Sequence, residues 1–200
     1  MKISKYGVSL ERLTENKIEL VRQWRNHEKI RAVMDFKDYI SPEMQKLWFE
    51  KINNHHHFYF IISYNNKDIG LIHTADINYV KKTAWSGLFI AEEEYINSTV
   101  PIAASLAMLD FFMDNKIIEK VYAKVMNNNK KALLYNLQLG FDIEDEESSE
   151  KFTIISLTSK NYNNKAKSIK KLFNKWFKGN VQVDFTEMNF DGADIFKNKF

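Results

Sequence analysis

Ser98, Thr99 and Pro101 stand at the point where the acidic run 92–94 gives way to the apolar run 102–109. That spacing predicts an open, capped helix N-terminus. A hydroxyl from Ser98 or Thr99 can accept a hydrogen bond from a first-turn N–H, and a proline this early presets the backbone without losing a needed donor. The remaining orphan N–H groups and the helix dipole favour an anion such as a pyrophosphate. The stretch 92–109 holds no glycine, and side chains restrict how closely a ligand approaches the backbone. Taken alone it reads first as an ordinary capped helix in a β-α-β unit, since most such helices bind nothing. His55, His56 and His57 form the other conspicuous cluster. Neighbouring side chains at a strand entrance point in alternating directions, so three consecutive ligands to one ion are not expected, and the run reads as a polar loop. No metal is expected.

The elements that must position these residues follow from periodicity. Residues 8–13 alternate as a strand. Residues 15–34 place Ile18, Val21, Trp24 and Ile30 on one helical stripe, and Ser41-Pro42 opens a second helix. Residues 58–64, 68–80 and 83–91 read as three successive strands, with Asn65-Asn66-Lys67 and Lys81-Lys82 in the tight turns. The order then changes: strand 83–91, helix 100–114 and strand 120–126 form a β-α-β unit, which makes those two strands parallel. A helix over 129–139 stops at Gly140, as a left-handed cap would make it, and 151–158 returns as a strand. The expected fold is α/β (α+β): a mixed sheet, antiparallel early and parallel in the middle, with helices on both faces.

Composition narrows the function classes. The 200 residues suit one compact domain with an appendage, and a 44% hydrophobic share with 15 Phe, 9 Tyr and 4 Trp supplies a sizeable core. A net charge of +3 is too mild to imply nucleic acid. The absence of cysteine excludes disulfides, thiol catalysis and thiolate-ligated zinc. No apolar run approaches the ~18 residues of a membrane span, so the sequence reads as soluble and cytoplasmic.

Read together, the segments resemble the GCN5-related N-acetyltransferase family over about residues 8–158. Asn129, Ala132, Leu139, Gly140 and Phe141 match its Asn-x-x-Ala/Ser…Leu-Gly-Phe pattern. Trp24-Arg25-Asn26-His27, with 40–49 beyond it, further resembles the branch that acetylates nucleotide-linked amino sugars, as in pseudaminic acid biosynthesis. The resemblance implies an acetyl-CoA co-substrate and direct transfer to a primary amine. It implies that backbone N–H groups of Leu88, Phe89 and Ile90 polarise the thioester carbonyl, as donors aimed at developing charge do. The diphosphate would rest on Asn97, Ser98, Thr99 and Val100, where the family's Gly-x-Gly is missing, with Asn129 binding the cofactor from the next helix. Where many relatives carry a tyrosine acid this chain has Asn136, preceded by Tyr135. Either is a candidate for protonating the leaving thiolate, though one helical residue turns a side chain by ~100°. The usual glutamate base is replaced by Trp85, which leaves His73, Asp76 or His27 as candidate bases. Trp24, Arg25, Asn26 and His27 fall on the acceptor side, Arg25 being the natural partner of a nucleotide phosphate.

The implied acceptor is the amine of a UDP-linked amino sugar. The alternatives are a protein N-terminus or another small amine, and a non-catalytic acyl-CoA or nucleotide-binding module that keeps the fold. Residues 159–200 form a second segment beyond the domain at 1–158, with 159–165 reading as a polar linker. In that segment Ile169, Leu172, Phe173, Trp176 and Phe177 make an apolar stripe bordered by lysines. Such a helix over 165–178 can pack on the domain or a homodimer partner, or lie on an anionic membrane surface. Residues 181–188 alternate like an added strand, which favours docking.

Overall fold

The computed structural model describes residues 1–145, 148–177 and 182–185. Its elements in order are β1 (Lys2–Lys5), β2 (Val8–Arg12), α1 (Ile18–Asn26), α2 (Glu28–Arg31), α3 (Pro42–Ile52), β3 (Phe58–Tyr64), β4 (Lys67–Asn78), β5 (Thr83–Ile90), α4 (Glu93–Ile96), α5 (Val100–Leu109), β6 (Lys120–Met126), α6 (Lys130–Leu139), β7 (Asp142–Glu144), β8 (Phe152–Thr158), α7 (Ser159–Lys165), α8 (Lys167–Trp176) and β9 (Gln182–Asp184). One sheet runs β7-β8-β6-β5-β4-β3-β2-β1-β9. The β5–β6 pair is parallel and the others are antiparallel, which is the mixed sheet expected from the element order.

Helices cover both faces of that sheet because its central strands are apolar on both sides. Phe58, Phe60, Ile62 and Ile72 turn to a core shared with α5, α7 and α8. Ile61 and Leu71, one residue out of step, turn to a smaller core with Val21, Phe49 and Ile52 from α1 and α3. The period of two along a strand makes this division. Two tight turns keep the hairpins in register: Asn65 and Asn66 both take positive φ (50° and 60°), as do Tyr6 and Gly7 (55° and 79°). At Gly7 a Cβ would also lie 2.4 Å from the Phe177 ring, so the β1–β2 turn and the end of α8 fit together only around a glycine.

Three local differences from the sequence reading have physical causes. The helix expected over 15–34 begins with a 3-10 turn (Glu15–Lys17) and breaks at His27, whose backbone is extended (ψ 132°). Just before the break, Asn26 clamps the Ile40 backbone, donating to its carbonyl at 2.9 Å and accepting from its N–H at 2.8 Å. Residues 159–165 are a helix rather than a linker. Tyr162 is fully buried there and donates to Asp110 at 2.7 Å. Residues 2–5, not assigned as a strand above, pair on one side with β2 and on the other with β9. In α8, Phe173 is buried and Ile169 packs on the main core, as does Phe177 just beyond the helix, while Leu172 and Trp176 stay exposed. Residue 178 lies outside the described residues, as do 181 and 186–188 of the alternating stretch at 181–188.

Candidate active site

The parallel partners β5 and β6 separate halfway along. Their pairing covers Thr83↔Lys120 to Ser86↔Ala123, yet β5 continues to Ile90 and β6 to Met126. Each strand is committed elsewhere over its length. β5 pairs with β4 as far as Gly70↔Ile90, and β6 pairs with β8 as far as Met126↔Phe152. From Gly87 to Ile90, the edge of β5 that faces β6 pairs with no strand among the described residues. Backbone polar groups in such a place need a ligand or water. A cleft of about 1340 Å³ opens at the separation, lined by both strands and by α6. Leu88, Phe89 and Ile90 are among its walls.

At one end of the cleft lies the start of α5. The N-cap residue is Thr99, whose side chain makes no capping bond; Ser98 before it braces the turn, its hydroxyl accepting from the Val100 N–H at 3.1 Å and donating to the Tyr95 carbonyl at 2.7 Å. Pro101 has no N–H, and the Ala103 N–H reaches the Thr99 carbonyl at 3.0 Å. The N–H groups of Thr99 and Ile102 have no hydrogen-bond partner among the described residues. The helix N-terminus is thus braced by Ser98 and still offers two donors. Asn97 and Pro101 line the cleft; Ser98, Thr99 and Val100 do not.

Opposite, α6 carries Asn129, Tyr135 and Asn136, all lining the cleft. Asn129 caps the helix, its Oδ1 accepting from the Ala132 N–H at 3.2 Å. The Gly140 cap is left-handed, with φ of 104°. Asn129→Ala should lower stability by about 1 kcal/mol in urea unfolding, the ordinary worth of an N-cap. Asn129→Asp, which keeps the cap oxygen and removes the amide donor, should restore it. Tyr135 bridges α6 to α5, with Oη 2.9 Å from the Pro101 carbonyl and 2.6 Å from Ser105 Oγ. Burial pushes its hydroxyl pKa up, and the Ser105 bond offsets part of that. Asn136 donates back to the Ala132 carbonyl at 2.8 Å, along its own helix.

The far end is closed by α1, α3 and the sheet. Arg25, His27, Gln45, Trp48, Tyr59 and His73 line it. His73 stacks on Tyr59 with ring centroids 4.8 Å apart. Its ring lies so close to Gly87 that a Cβ there would approach it to 2.7 Å, so glycine on β5 is what admits this histidine. Burial first, then the nearby Arg25 cation, lowers the His73 pKa to about 4. The ring is neutral at physiological pH and a poor proton acceptor. The Arg25 pKa is also lowered by burial, and its Nε is buried without a partner. Trp24 and Asn26 do not line the cleft. Trp24 packs edge-on against Phe89 at 6.2 Å, and both polar atoms of the Asn26 amide bond Ile40. Asp76 lines a separate hollow with His56 and His57. Among the described residues, no three His, Cys, Asp or Glu side chains group as metal ligands.

Gln45 is the residue that sequence reading passed over. It is 4% exposed and its Nε2 has no partner. The available signal was its position, since Gln45, Phe49 and Ile52 form the buried stripe of α3. A polar residue in an apolar stripe is the more informative exception.

The charge of the lining is lopsided. Arg25, Lys29, Lys124 and Lys131 stand against Glu93. Glu93 is held by Lys29, and Lys124 pairs with Asp35 at 2.9 Å. Arg25 and Lys131 have no carboxylate partner among the described residues.

No family model matches the sequence. It is 26% identical to spermidine N(1)-acetyltransferase of Escherichia coli (strain K12) over 150 residues, which cover 74% of this chain and 80% of the relative. Among solved structures it is similar to spermidine N-acetyltransferase from Vibrio cholerae in complex with CoA and spermine, with a TM-score of 0.66 at 19% identity, covering 78% of this chain and 98% of that one. It is also similar to the Campylobacter jejuni N-acetyltransferase PseH, with a TM-score of 0.57 at 20% identity, covering 76% and 98%. At these identities structural likeness carries the fold and not the acceptor. The mixed sheet, its splayed parallel pair and these likenesses together give the chain the fold of the GCN5-related N-acetyltransferases.

Proposed function

We propose that the protein is an acetyl-CoA-dependent N-acetyltransferase that moves the acetyl group directly to a primary amine. The observation that carries this reading is the unpaired β5 edge from Gly87 to Ile90, which opens on the cleft beside the α5 N-terminus. The residues fit the co-substrate. An amide-bearing arm can add to that edge as an extra strand would. The start of α5 reaches the cleft at Asn97 and Pro101, where the positive end of the helix favours a diphosphate. Asn129 keeps an amide donor beyond its capping oxygen. Acetyl-CoA supplies an activated acyl group.

The neutral amine nitrogen attacks the thioester carbonyl carbon; the C–N bond forms, the C–S bond breaks, and the thiolate leaves with the electron pair. The backbone N–H groups of Leu88 and Ile90 face away from β4 and stabilise the negative charge that builds on the carbonyl oxygen, whereas that of Phe89 is turned to Leu71 of β4. The amine releases one proton. His73, with a pKa of about 4, does not retain it at neutral pH, which leaves His27, also in the cleft lining, or solvent to receive it. A thiolate is a weak enough base to leave without a dedicated acid. The Tyr135 hydroxyl is already engaged by Pro101 and Ser105. Tyr135→Phe should therefore reduce turnover less than tenfold. A hundredfold loss with unchanged KM for acetyl-CoA would make Tyr135 the acid.

The acceptor side favours an amine carried on an anionic molecule, such as a nucleotide-linked amino sugar. Cations dominate the lining, and Arg25 faces it without a carboxylate. The sequence likeness to spermidine acetyltransferase favours a second reading, a polyamine acceptor. A polycation needs carboxylates, however, and Glu93 is tied to Lys29. Release of CoA thiol from acetyl-CoA, measured with a UDP-linked amino sugar, spermidine and a short peptide, tests the reading. Turnover with a primary amine is expected. Acetyl-CoA binding without turnover on any amine would select a non-catalytic module.

A further inference from the structure

We infer that the outer face of α8 docks on the surface of an anionic lipid bilayer. No residue of α8 lines the cleft, and the inference stands apart from the acetyltransferase reading.

Positive charge is concentrated in one run of this chain. From Lys151 to Val183 there are eight lysines and no aspartate or glutamate, while the whole chain carries only +3, so the rest of it is net acidic. Lys151 is used internally on Asp35, Lys165 on Asp142 and Lys170 on Asp110. Lys167, Lys171 and Lys175 are exposed and have no carboxylate partner among the described residues. They stand at every fourth position of α8, where side chains are neighbours, and like charges at that spacing destabilise a helix. The stripe does nothing for the fold; it suits an external anion.

The same helix leaves apolar surface uncovered beside the lysines. α8 is fixed to the domain by Ile169 and by the buried Phe173, which meets Tyr6 edge-on at 5.7 Å. Leu172 and Trp176, one turn apart, are 43% and 54% exposed. Helix geometry sets Leu172 next to Lys175, so the apolar pair runs along the lysine stripe. A face that only had to stay in water would carry neither side chain. At a bilayer surface the indole and the leucine enter the boundary of the acyl chains while the ammonium groups stay with the lipid phosphates. A second copy of this chain is a poorer occupant, because a two-fold contact brings the two lysine stripes together. A nucleic acid would meet the lysines through its phosphates and leave Leu172 uncovered. α8 has ten residues, and no described helix is long and apolar enough to cross a membrane, so the contact is with the surface.

Vesicle flotation with the full chain tests this. Recovery is expected with vesicles of equimolar phosphatidylglycerol and phosphatidylcholine, little with phosphatidylcholine alone, and it should fall steeply as salt is raised. Lys171→Glu with Lys175→Glu should lower the partition coefficient at least tenfold. Leu172→Ser with Trp176→Ser should lower it as well, at low salt where the charges still act. These four side chains are exposed, and the melting temperatures of both double variants should match the wild type, which keeps a lost interaction distinct from a lost fold. Equal recovery on both kinds of vesicle, recovery on neither, or unchanged partition in the lysine variant would overturn the inference. Binding to a DNA duplex without binding to vesicles would overturn it in favour of nucleic acid. Self-association that Lys175→Glu abolishes, again without vesicle binding, would assign the face to a second copy instead.

Discussion

Asp110→Ala should destabilise the protein by about 3–5 kcal/mol, the usual consequence of stripping the partner from buried charges. Asp110 is 3% exposed and follows α5, in the π turn Asp110–Asp114. Four groups from three segments meet on it. Lys5 and Tyr6 come from the β1–β2 hairpin, Tyr6 donating at 2.8 Å. Tyr162 of α7 donates at 2.7 Å, and Lys170 of α8 pairs at 2.5 Å. The lysine side chains are 12% and 20% exposed, so removing the carboxylate leaves two largely buried cations facing each other. Burial alone would push the Asp110 pKa up. Hydrogen bonds from Lys170, Lys5 and Tyr162 outweigh it and hold the carboxyl below its ordinary value. The sign for pH follows. The stabilisation is fully present above the unfolded aspartate value near 3.9 and is lost as pH falls through the lower folded value. Urea unfolding of the wild type and Asp110→Ala at neutral pH checks the magnitude. A difference below about 1 kcal/mol would match an exposed ion pair and contradict the account.

The same residue shows what sequence reading reaches and what it misses. The helix over 100–114 was visible from its apolar run, and so was its β-α-β context, because both depend on neighbours in the chain. The meaning of Asp110 depends on Lys5, Tyr162 and Lys170, which lie 52 to 105 residues away or on a later helix, and no local pattern records that. Gly140 was legible for the opposite reason, since a left-handed cap is made within one turn. β1 was passed over because residues 2–5 are short and polar at alternate positions. Its partners β2 and β9 make it a strand. The linker reading of 159–165 failed on one side chain, Tyr162, whose burial orders an otherwise polar heptapeptide.

The candidate site divides in the same way. Leu88, Phe89, Ile90, Asn97, Asn129, Tyr135, Asn136, Arg25, His27 and His73 all line one cleft, and the family resemblance carried most of them there. Trp24 and Asn26 sit beside them in sequence but turn to packing and to the Ile40 clamp. A motif of four consecutive residues on a helix points in four directions, so only part of it can face a ligand. Gln45 escaped because its importance lies in the lack of a partner, which only the packed structure reveals.

Acetyl-CoA should stabilise the folded protein, because the β5 edge and the α5 donors exist together only in the native fold. A ligand that binds only the folded state adds RT ln(1 + [L]/Kd), about 2.7 kcal/mol when its concentration is a hundred times Kd. The glycine-free loop leaves two free N–H donors at the α5 start, so millimolar ligand is the appropriate upper range for the titration. Isothermal calorimetry of the full chain with acetyl-CoA is the most direct measurement, with thermal unfolding of the same samples beside it. One site per chain and a melting temperature that climbs with ligand concentration are the expected result. No heat of binding and no shift at millimolar acetyl-CoA would contradict the assignment of the cleft between β5 and β6 as an acetyl-donor site.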